Sequence, residues 1–295
     1  MRFNPDSANF WKRVLMHSPD ISHWVGRTEQ QHGAFDLGSA RRFAATVGGG
    51  EPKASDPMPY LAHWCAFTPL AAMAELSADG HPRLGDFLPP VQLARRMWAG
   101  GSLEFLAPLH IDADITRISK ISAITEKDGT AGPMVFVTVT HDVFEKETHA
   151  ISETQDIVYL NIPEVFSPPP AKATPEDPDF IEPVDVSEAL LFRYSAVTFN
   201  AHRIHYDLPY AQQVEHYPGL VVHGPLQASL LMRAALRHAP GRRPRKFSFR
   251  GVHPMFHFDD MHLFGKDTDG GMALCTGLVG GHQGMQAKVI WEDAT

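Results

Sequence analysis

The sequence predicts an α+β protein in which a curved antiparallel sheet wraps a buried helix, with that unit built twice and the first copy degenerate. Three observations predict it. A proline-rich segment divides the chain, sequence echoes recur in the same order on either side of that segment, and one helix pattern near the C-terminus is apolar almost all round.

The divider lies between Asn161 and Pro183, where seven prolines stand: Pro163, Pro168, Pro169, Pro170, Pro175, Pro178 and Pro183. Proline removes backbone donors and biases the preceding residue away from helix, so the segment reads as an extended connector. The expected organisation is a longer first unit (1–162), a linker (163–183) and a shorter second unit (184–295).

The echoes come next. Arg42-Phe43-Ala44-Ala45-Thr46-Val47 follows a helical start near Ser39, and Arg193-Tyr194-Ser195-Ala196-Val197-Thr198 follows Ser187. Leu103-Glu104-Phe105, with Pro108 and Asp112 beyond it, is matched by Phe247-Ser248-Phe249 with Pro254 and Asp259. Each half then runs into strands. In the first, Ile111–Ser122 alternates apolar and polar residues, a turn follows at Lys127-Asp128-Gly129, and strands are expected near Val135–Phe144 and Thr154–Leu160. In the second, strands are expected near Lys246–Val252, Met261–Gly265, Met272–Leu278 and Gln286–Trp291, with turns at Asp269-Gly270-Gly271 and Gly280-Gly281.

The helix over Leu226–Leu236 is rich in helix formers and has no polar face, so it belongs inside a sheet, and Pro225 suits its first turn. The first half has no equal: Ala62–Leu76 is interrupted by Pro69, and Pro89–Trp98 predicts only a short helix. A buried helix cradled by a curved antiparallel sheet, occurring twice, is the double-hotdog arrangement.

Bulk properties narrow the class. The chain has 295 residues, 43% hydrophobic and 20% charged, enough to bury a core without staples. Its two cysteines, Cys65 and Cys275, build neither a zinc motif nor a disulfide framework, which fits a reducing cytoplasm. A formal net charge of −8 argues against nucleic acid as a partner. Met1–Ser18, which carries Trp11, Lys12 and Arg13, has no apolar run of signal-peptide length, and no segment reads as membrane-spanning.

The densest polar and aromatic run is Tyr194-Ser195-Ala196-Val197-Thr198-Phe199-Asn200-Ala201-His202-Arg203-Ile204-His205-Tyr206-Asp207. Downstream of it comes Gly219-Leu220-Val221-Val222-His223-Gly224-Pro225-Leu226. Together these two stretches resemble the double-hotdog members of the MaoC-like hydratase family, which include type 2 hydroxyacyl-thioester dehydratases and the mesaconyl- and itaconyl-CoA hydratases. Pro89-Pro90 with Arg95-Arg96-Met97-Trp98-Ala99-Gly100-Gly101 resembles the N-terminal domain of the same subgroup.

The resemblance implies a hydro-lyase acting on an acyl thioester of coenzyme A, with CoA entering as part of the substrate and no separate cofactor. The family's motif has an aspartate five residues before a histidine, which together hold and activate one water. Asn200 and His205 occupy those positions here. A carboxamide cannot take a proton at neutral pH, so proton transfer falls to His205 and water-holding to Asn200, with Asp207 as an alternative carboxylate. The resemblance also makes the Gly224 amide, at a helix start, the donor to the enolate-like thioester oxygen. Aligning Arg42 with Arg193 sets Gly49 opposite Asn200 and Ala54 opposite His205, so no catalytic pair survives in the first half. One site per chain is expected, with the first half shaping the acyl pocket.

Other candidates carry two readings each. His202 and His223 line the pocket or hydrogen-bond their own loop, and Arg203 and Tyr206 stand with them as substrate-binding candidates. Arg95, Arg96 and Trp98 contact CoA phosphates or a substrate carboxylate, or else form a solvated helix face with a packed tryptophan. Arg243 and Arg245, within Arg242-Arg243-Pro244-Arg245-Lys246, are a landing site for CoA phosphates or a solvated turn. The spacings of His202 with His205, and of His253, His257 and His262 around Asp259 and Asp260, suggest metal ligands, but the chemistry needs none and no metal is expected.

Two other classes compete with a hydratase: a hotdog thioesterase, which would release free CoA, and a non-catalytic acyl-CoA-binding module. Within the hydratases, a 3-hydroxyacyl-thioester dehydratase of fatty-acid metabolism is the alternative. Association through the sheets into a homo-oligomer, a dimer of double hotdogs, follows from the resemblance.

Overall fold

A computed structural model describes residues 20–129 and 132–293. The N-terminal residues read above for a signal peptide therefore lie outside the described residues.

Ten strands form one antiparallel sheet: β1 (Thr28–Ala34), β2 (Arg95–Phe105), β3 (Asp114–Gly129), β4 (Gly132–Glu145), β5 (Thr148–Leu160), β6 (Phe180–Pro183), β7 (Pro244–Gly251), β8 (Met261–Thr268), β9 (Gly271–Leu278) and β10 (Gln283–Trp291). Their spatial order is β1-β3-β4-β5-β2-β7-β10-β9-β8-β6. Read inward from its two edges, the sheet repeats one topology: β1-β3-β4-β5-β2 and β6-β8-β9-β10-β7. The halves meet where β2 pairs with β7, Leu103 opposite Phe247 and Ser102 opposite Ser248. The second echo thus joins the two halves.

The first echo is a pair of helices, α1 (Leu37–Val47) and α2 (Glu188–Thr198), each of 11 residues. The alignment of Arg42 with Arg193 carries Leu37 onto Glu188 and Val47 onto Thr198, the observed ends of both helices. Each begins on a side-chain cap, Asp36 accepting from the Ser39 amide and Ser187 from the Leu190 amide. They part at their C-terminal ends. Gly48 ends α1 at a φ of 83°, and Phe199 ends α2 in the left-handed region, turning the chain into the polar run.

Two further helices are unique to the second half, the short α3 (Leu208–Gln213) and the central α4 (Gly224–His238). Leu226, Ala228, Leu231, Met232, Ala234 and Ala235 of α4 are all buried in the main core, which explains a helix with no polar face. The corresponding stretch of the first half holds only 3₁₀ turns, Ala62–Cys65 and Met73–Glu75.

Three local expectations are corrected. Pro89–Trp98 forms no helix, because Arg95 onward is β2 and pairs along its length with β5. Lys127-Asp128-Gly129 is not a turn but the end of β3, paired with Met134, Pro133 and Gly132 of β4. The linker is not free chain along its whole length. Ala173 bridges His282, Thr174 is buried, and Phe180–Pro183 is the edge strand β6 on β8. Edge strands tolerate proline, so Pro183 does not forbid this. Phe180 also stacks on His238 at 3.7 Å between ring centroids. Among the described residues no helix is long and apolar enough to cross a membrane.

Candidate active site

The site is built where α2 ends and α4 begins. After Phe199, the Asn200 amide bonds back to the Ser195 carbonyl at 2.8 Å, and the chain enters a 3₁₀ turn, Arg203–His205. Asp207 then caps α3, accepting from the Tyr210 amide at 3.1 Å, and takes the Arg203 guanidinium at 2.7 Å. This local bracing has consequences for three expected residues. Asp207 is committed as a cap and ion-pair partner, so it supplies no spare carboxylate. Arg203 braces the loop instead of lining a pocket, since it also reaches the Ala78 carbonyl at 3.1 Å. Tyr206 is 45% exposed, with its hydroxyl on the Ala201 carbonyl.

His205 is buried, and its Nδ1 lies 2.7 Å from the Val221 carbonyl oxygen. A carbonyl can only accept, so the ring proton of the neutral form sits on Nδ1 and Nε2 presents a lone pair. Burial, followed by the neighbouring rings of His223 and His202, pushes the His205 pKa well below its ordinary value. The ring is therefore neutral at pH 7. His223 stacks on it at 3.6 Å with an interplanar angle of 18°, and His202 stands edge-on at 5.4 Å. His223 is held in turn by Ser195 Oγ at 2.9 Å from Nε2. Burial lowers its pKa to about 3.

Asn200 ties one side of its carboxamide to its own loop. Its Oδ1 accepts the His202 amide at 3.0 Å, which leaves the amide NH₂ as the group able to meet a ligand.

Gly224 opens α4, whose start carries no side-chain cap. The first amides of a helix have no partner within it, and with Pro225 next in line the Gly224 N–H is the leading donor there. A Cβ at Gly224 would meet only Met285 Cε at 3.7 Å and the Trp98 carbonyl at 3.8 Å, ordinary contact distances.

Trp98 is thus beside the helix start, its ring packed on Trp64 at 4.9 Å and Phe249 at 5.6 Å. Arg96 stands opposite Tyr159 in the β2–β5 pairing and is among the charges that lower the basicity of His81. Arg95 points elsewhere. It is buried against Glu215, Nε to Oε2 at 2.8 Å, with its guanidinium over the Tyr217 ring. Neither arginine is on a helix, which corrects the helix-face reading. Arg243 and Arg245 follow the C-terminal end of α4, the end opposite Gly224 on a helix of 15 residues spanning about 22 Å. Arg243 pairs with Glu292 at 3.3 Å and Arg245 is exposed. The structure does not bring these two to His205.

The structure also brings in residues that the sequence did not single out, in the turn Asp79-Gly80-His81. His81 Nδ1 donates to Asp79 Oδ2 at 2.8 Å, and the His81 ring lies 4.1 Å from that of His202. The Arg203 amide bonds the Asp79 carbonyl at 2.9 Å. Gly80, at a φ of 91°, is fixed by contact, because any Cβ there would fall 1.8 Å from the Ala201 carbonyl oxygen. The sequence signal was only an ordinary turn. Asp79, His81 and His202 also have ligand atoms within 4.8 Å of one another, a spacing able to hold a metal ion. In the expected histidine sets, His202 had been grouped with His205 instead.

Comparison with known proteins follows this geometry. Residues 61–257 match the model of the family described as hydroxyacyl-thioester dehydratase type 2. The mesaconyl-C(4)-CoA hydratase of Chloroflexus aurantiacus is 45% identical over 254 residues, covering 85% of this chain and 90% of the relative. Among solved structures, a MaoC-like dehydratase from Phytophthora capsici superposes with a TM-score of 0.66 at 14% identity, over 90% of this chain and 95% of that one. A Mycobacterium tuberculosis protein described as a double hotdog superposes with a TM-score of 0.57 at 13% identity, over 90% of this chain and 96% of the other. The likeness in fold extends across both halves of the sheet.

Proposed function

The chain belongs to the hydroxyacyl-thioester dehydratase type 2 family, and on that premise we propose that it hydrates a short, dicarboxylic 2-enoyl-CoA of the mesaconyl kind. It is an acyl-CoA hydratase/dehydratase. The dicarboxylic acyl group is the finer reading, carried over from the 45% identical relative.

The observation that carries the chemistry is the Nδ1 tether of His205 to Val221, which fixes Nε2 as an acceptor beside an uncapped helix start. Nε2 takes a proton from water as the water oxygen bonds Cβ, and the double-bond pair moves toward the thioester carbonyl. The Gly224 amide and the α4 dipole stabilise the oxygen that gains charge. The proton then passes to Cα, so the imidazole ends as it began. Asn200 orients the water through its NH₂. Arg96 is assigned to the substrate's second carboxylate, opposite a Tyr159 hydroxyl that is buried with no hydrogen-bond partner in the structure. No cofactor is assigned beyond the CoA of the substrate. We further propose a cytoplasmic homo-oligomer, which sedimentation of the purified chain tests.

A panel of crotonyl-CoA, mesaconyl-C(4)-CoA and longer 2-enoyl-CoAs, followed by loss of the conjugated-thioester absorbance, tests the reading. The expected result is fastest turnover of the dicarboxylic thioester. His205→Ala should lose at least about 10²-fold in kcat. Release of free CoA, seen with a thiol reagent, would make the chain a thioesterase. Binding without turnover would make it a carrier.

A further inference from the structure

The structure leaves the site one base short of the family motif. Where that motif has a carboxylate, this chain has Asn200, whose carboxamide takes no proton and whose oxygen already accepts the His202 amide. The motif sets two groups on one water, and His205 Nε2 is one. We propose that the second is His81, held by Asp79, and that this pair from the first half is a second general base in the active site of the other half. The proposal rests on the hydratase reading above.

Four observations carry it. The two imidazoles are prepared alike, each with Nδ1 tied to an oxygen: His205 to the Val221 carbonyl at 2.7 Å, His81 to Asp79 Oδ2 at 2.8 Å. Both therefore present Nε2 as an acceptor. They flank the same ring, since His202 lies 4.1 Å from His81 and 5.4 Å from His205. His202 Nε2 is itself buried with no partner at hydrogen-bond distance, Glu215 Oε1 standing 3.7 Å away. The turn that carries His81 is fastened to the catalytic loop by the Arg203–Asp79 backbone bond and by the close approach of Gly80 to Ala201.

The two tethers differ in one respect that assigns roles. A carbonyl orients an imidazole, whereas a carboxylate also balances the charge of the imidazolium that forms. On this proposal the proton given above to His205 goes instead to His81, and His205 orients the water. The water oxygen bonds Cβ, the π pair moves into the enolate, and the proton passes from water to His81 Nε2 and on to Cα. The net change is one water added, with both rings restored to neutrality. Both Asp79 oxygens face His81, one on Nδ1 and one on its backbone amide, which favours this assignment over a metal ion on the same three residues.

The experiment measures kcat and KM for mesaconyl-C(4)-CoA and crotonyl-CoA in His81→Gln, Asp79→Asn, the double variant and His81→Gly with added imidazole. Expected are losses of about 10²-fold or more in kcat for each single variant with KM within a few-fold, a double variant no worse than the worse single, and partial rescue of His81→Gly by imidazole. Rescue separates chemistry from folding, since a misfolded protein is not restored by a small base. His81→Gln with kcat within threefold of the parent, or no rescue in a folded His81→Gly, overturns the proposal. If His205→Ala still fails in the same assay, the hydratase reading survives that overturn. Loss of wild-type activity on dialysis against a chelator, restored by zinc, would instead make Asp79, His81 and His202 a metal site and overturn the proposal as well.

Discussion

The two halves share a strand order and a pair of 11-residue helices, yet they fill the hollow of the sheet by opposite means. In the second half, α4 lays an apolar helix along it. In the first, where the described residues hold no such helix, part of the interior is polar. Glu153, buried, accepts from His63 Nε2 at 2.8 Å, Trp64 Nε1 at 2.9 Å and Gln155 Nε2 at 2.8 Å. His141, also buried, bonds Ser119 Oγ at 2.8 Å. The lesson is that the degenerate copy has not merely lost a helix. The stretch between α1 and β2 is released to carry the Asp79–His81 turn across to the loop after α2, so the incomplete half completes the site of the intact one.

The largest effect that tests this contrast is expected at Glu153. Glu153→Ala strips the partner from the buried Trp64 indole and His63 imidazole and from the half-buried Gln155 amide, and should cost about 3–5 kcal/mol in a denaturant titration. Leu231→Ala, at a fully buried position of α4, should cost about 2–5 kcal/mol through its cavity. A loss below about 1 kcal/mol at Glu153 would show that the polar interior of the first half is not what holds it.

Acid should separate the histidine cluster from the Glu153 interior next. Burial first, and neighbouring positive groups as well, lower His81 and His223 to about 3 from an ordinary 6.5. These rings stabilise the fold fully above pH 6.5, and their contribution is lost as pH falls toward 3. Glu153 is held down to about 2 from 4.5, with the His63 hydrogen bond and charge overcoming the cost of burial, so its contribution is lost only as pH falls from 4.5 toward 2. Hydrogen exchange at pH 5 should therefore show the larger opening around the cluster, where burial lowers His81, His205 and His223 together, and a smaller one in β4, where burial lowers His141 alone, to about 4. His223→Asn should flatten the dependence of Tm on pH between 7 and 5. Equal loosening of the cluster and of β4 at pH 5 would remove the contrast.

The smallest effect belongs to the far end of α4. Arg243→Ala and Arg245→Ala should change KM for a CoA thioester by no more than about twofold, the range of surface substitutions with no buried partner. A tenfold rise would place the CoA phosphates at that end.

Much of this architecture was legible residue by residue. The echo of Arg42-Phe43 in Arg193-Tyr194 gave α1 and α2 their register, and the missing polar face of Leu226–Leu236 marked the central helix. The resemblance carried by Asn200, His205 and Gly224 pointed to the loop after α2 and to the start of α4. Pro89–Trp98 misled because Arg95-Arg96-Met97-Trp98 has helical propensity, whereas pairing with β5 and β7 decides its state. Arg95 and Arg96 were indistinguishable as letters. On a strand they face opposite sides, so one is neutralised by Glu215 and the other is set opposite Tyr159.

What the chain determined by itself is everything carried by neighbours in sequence: caps, turns, the apolar helix and the five-residue step from Asn200 to His205. Only the tertiary structure decided that Asp79 and His81 dock beside the His202 ring. Propensity acts over a few residues, whereas docking across more than a hundred depends on which space the rest of the fold leaves open, and the helix missing from the first half left that space.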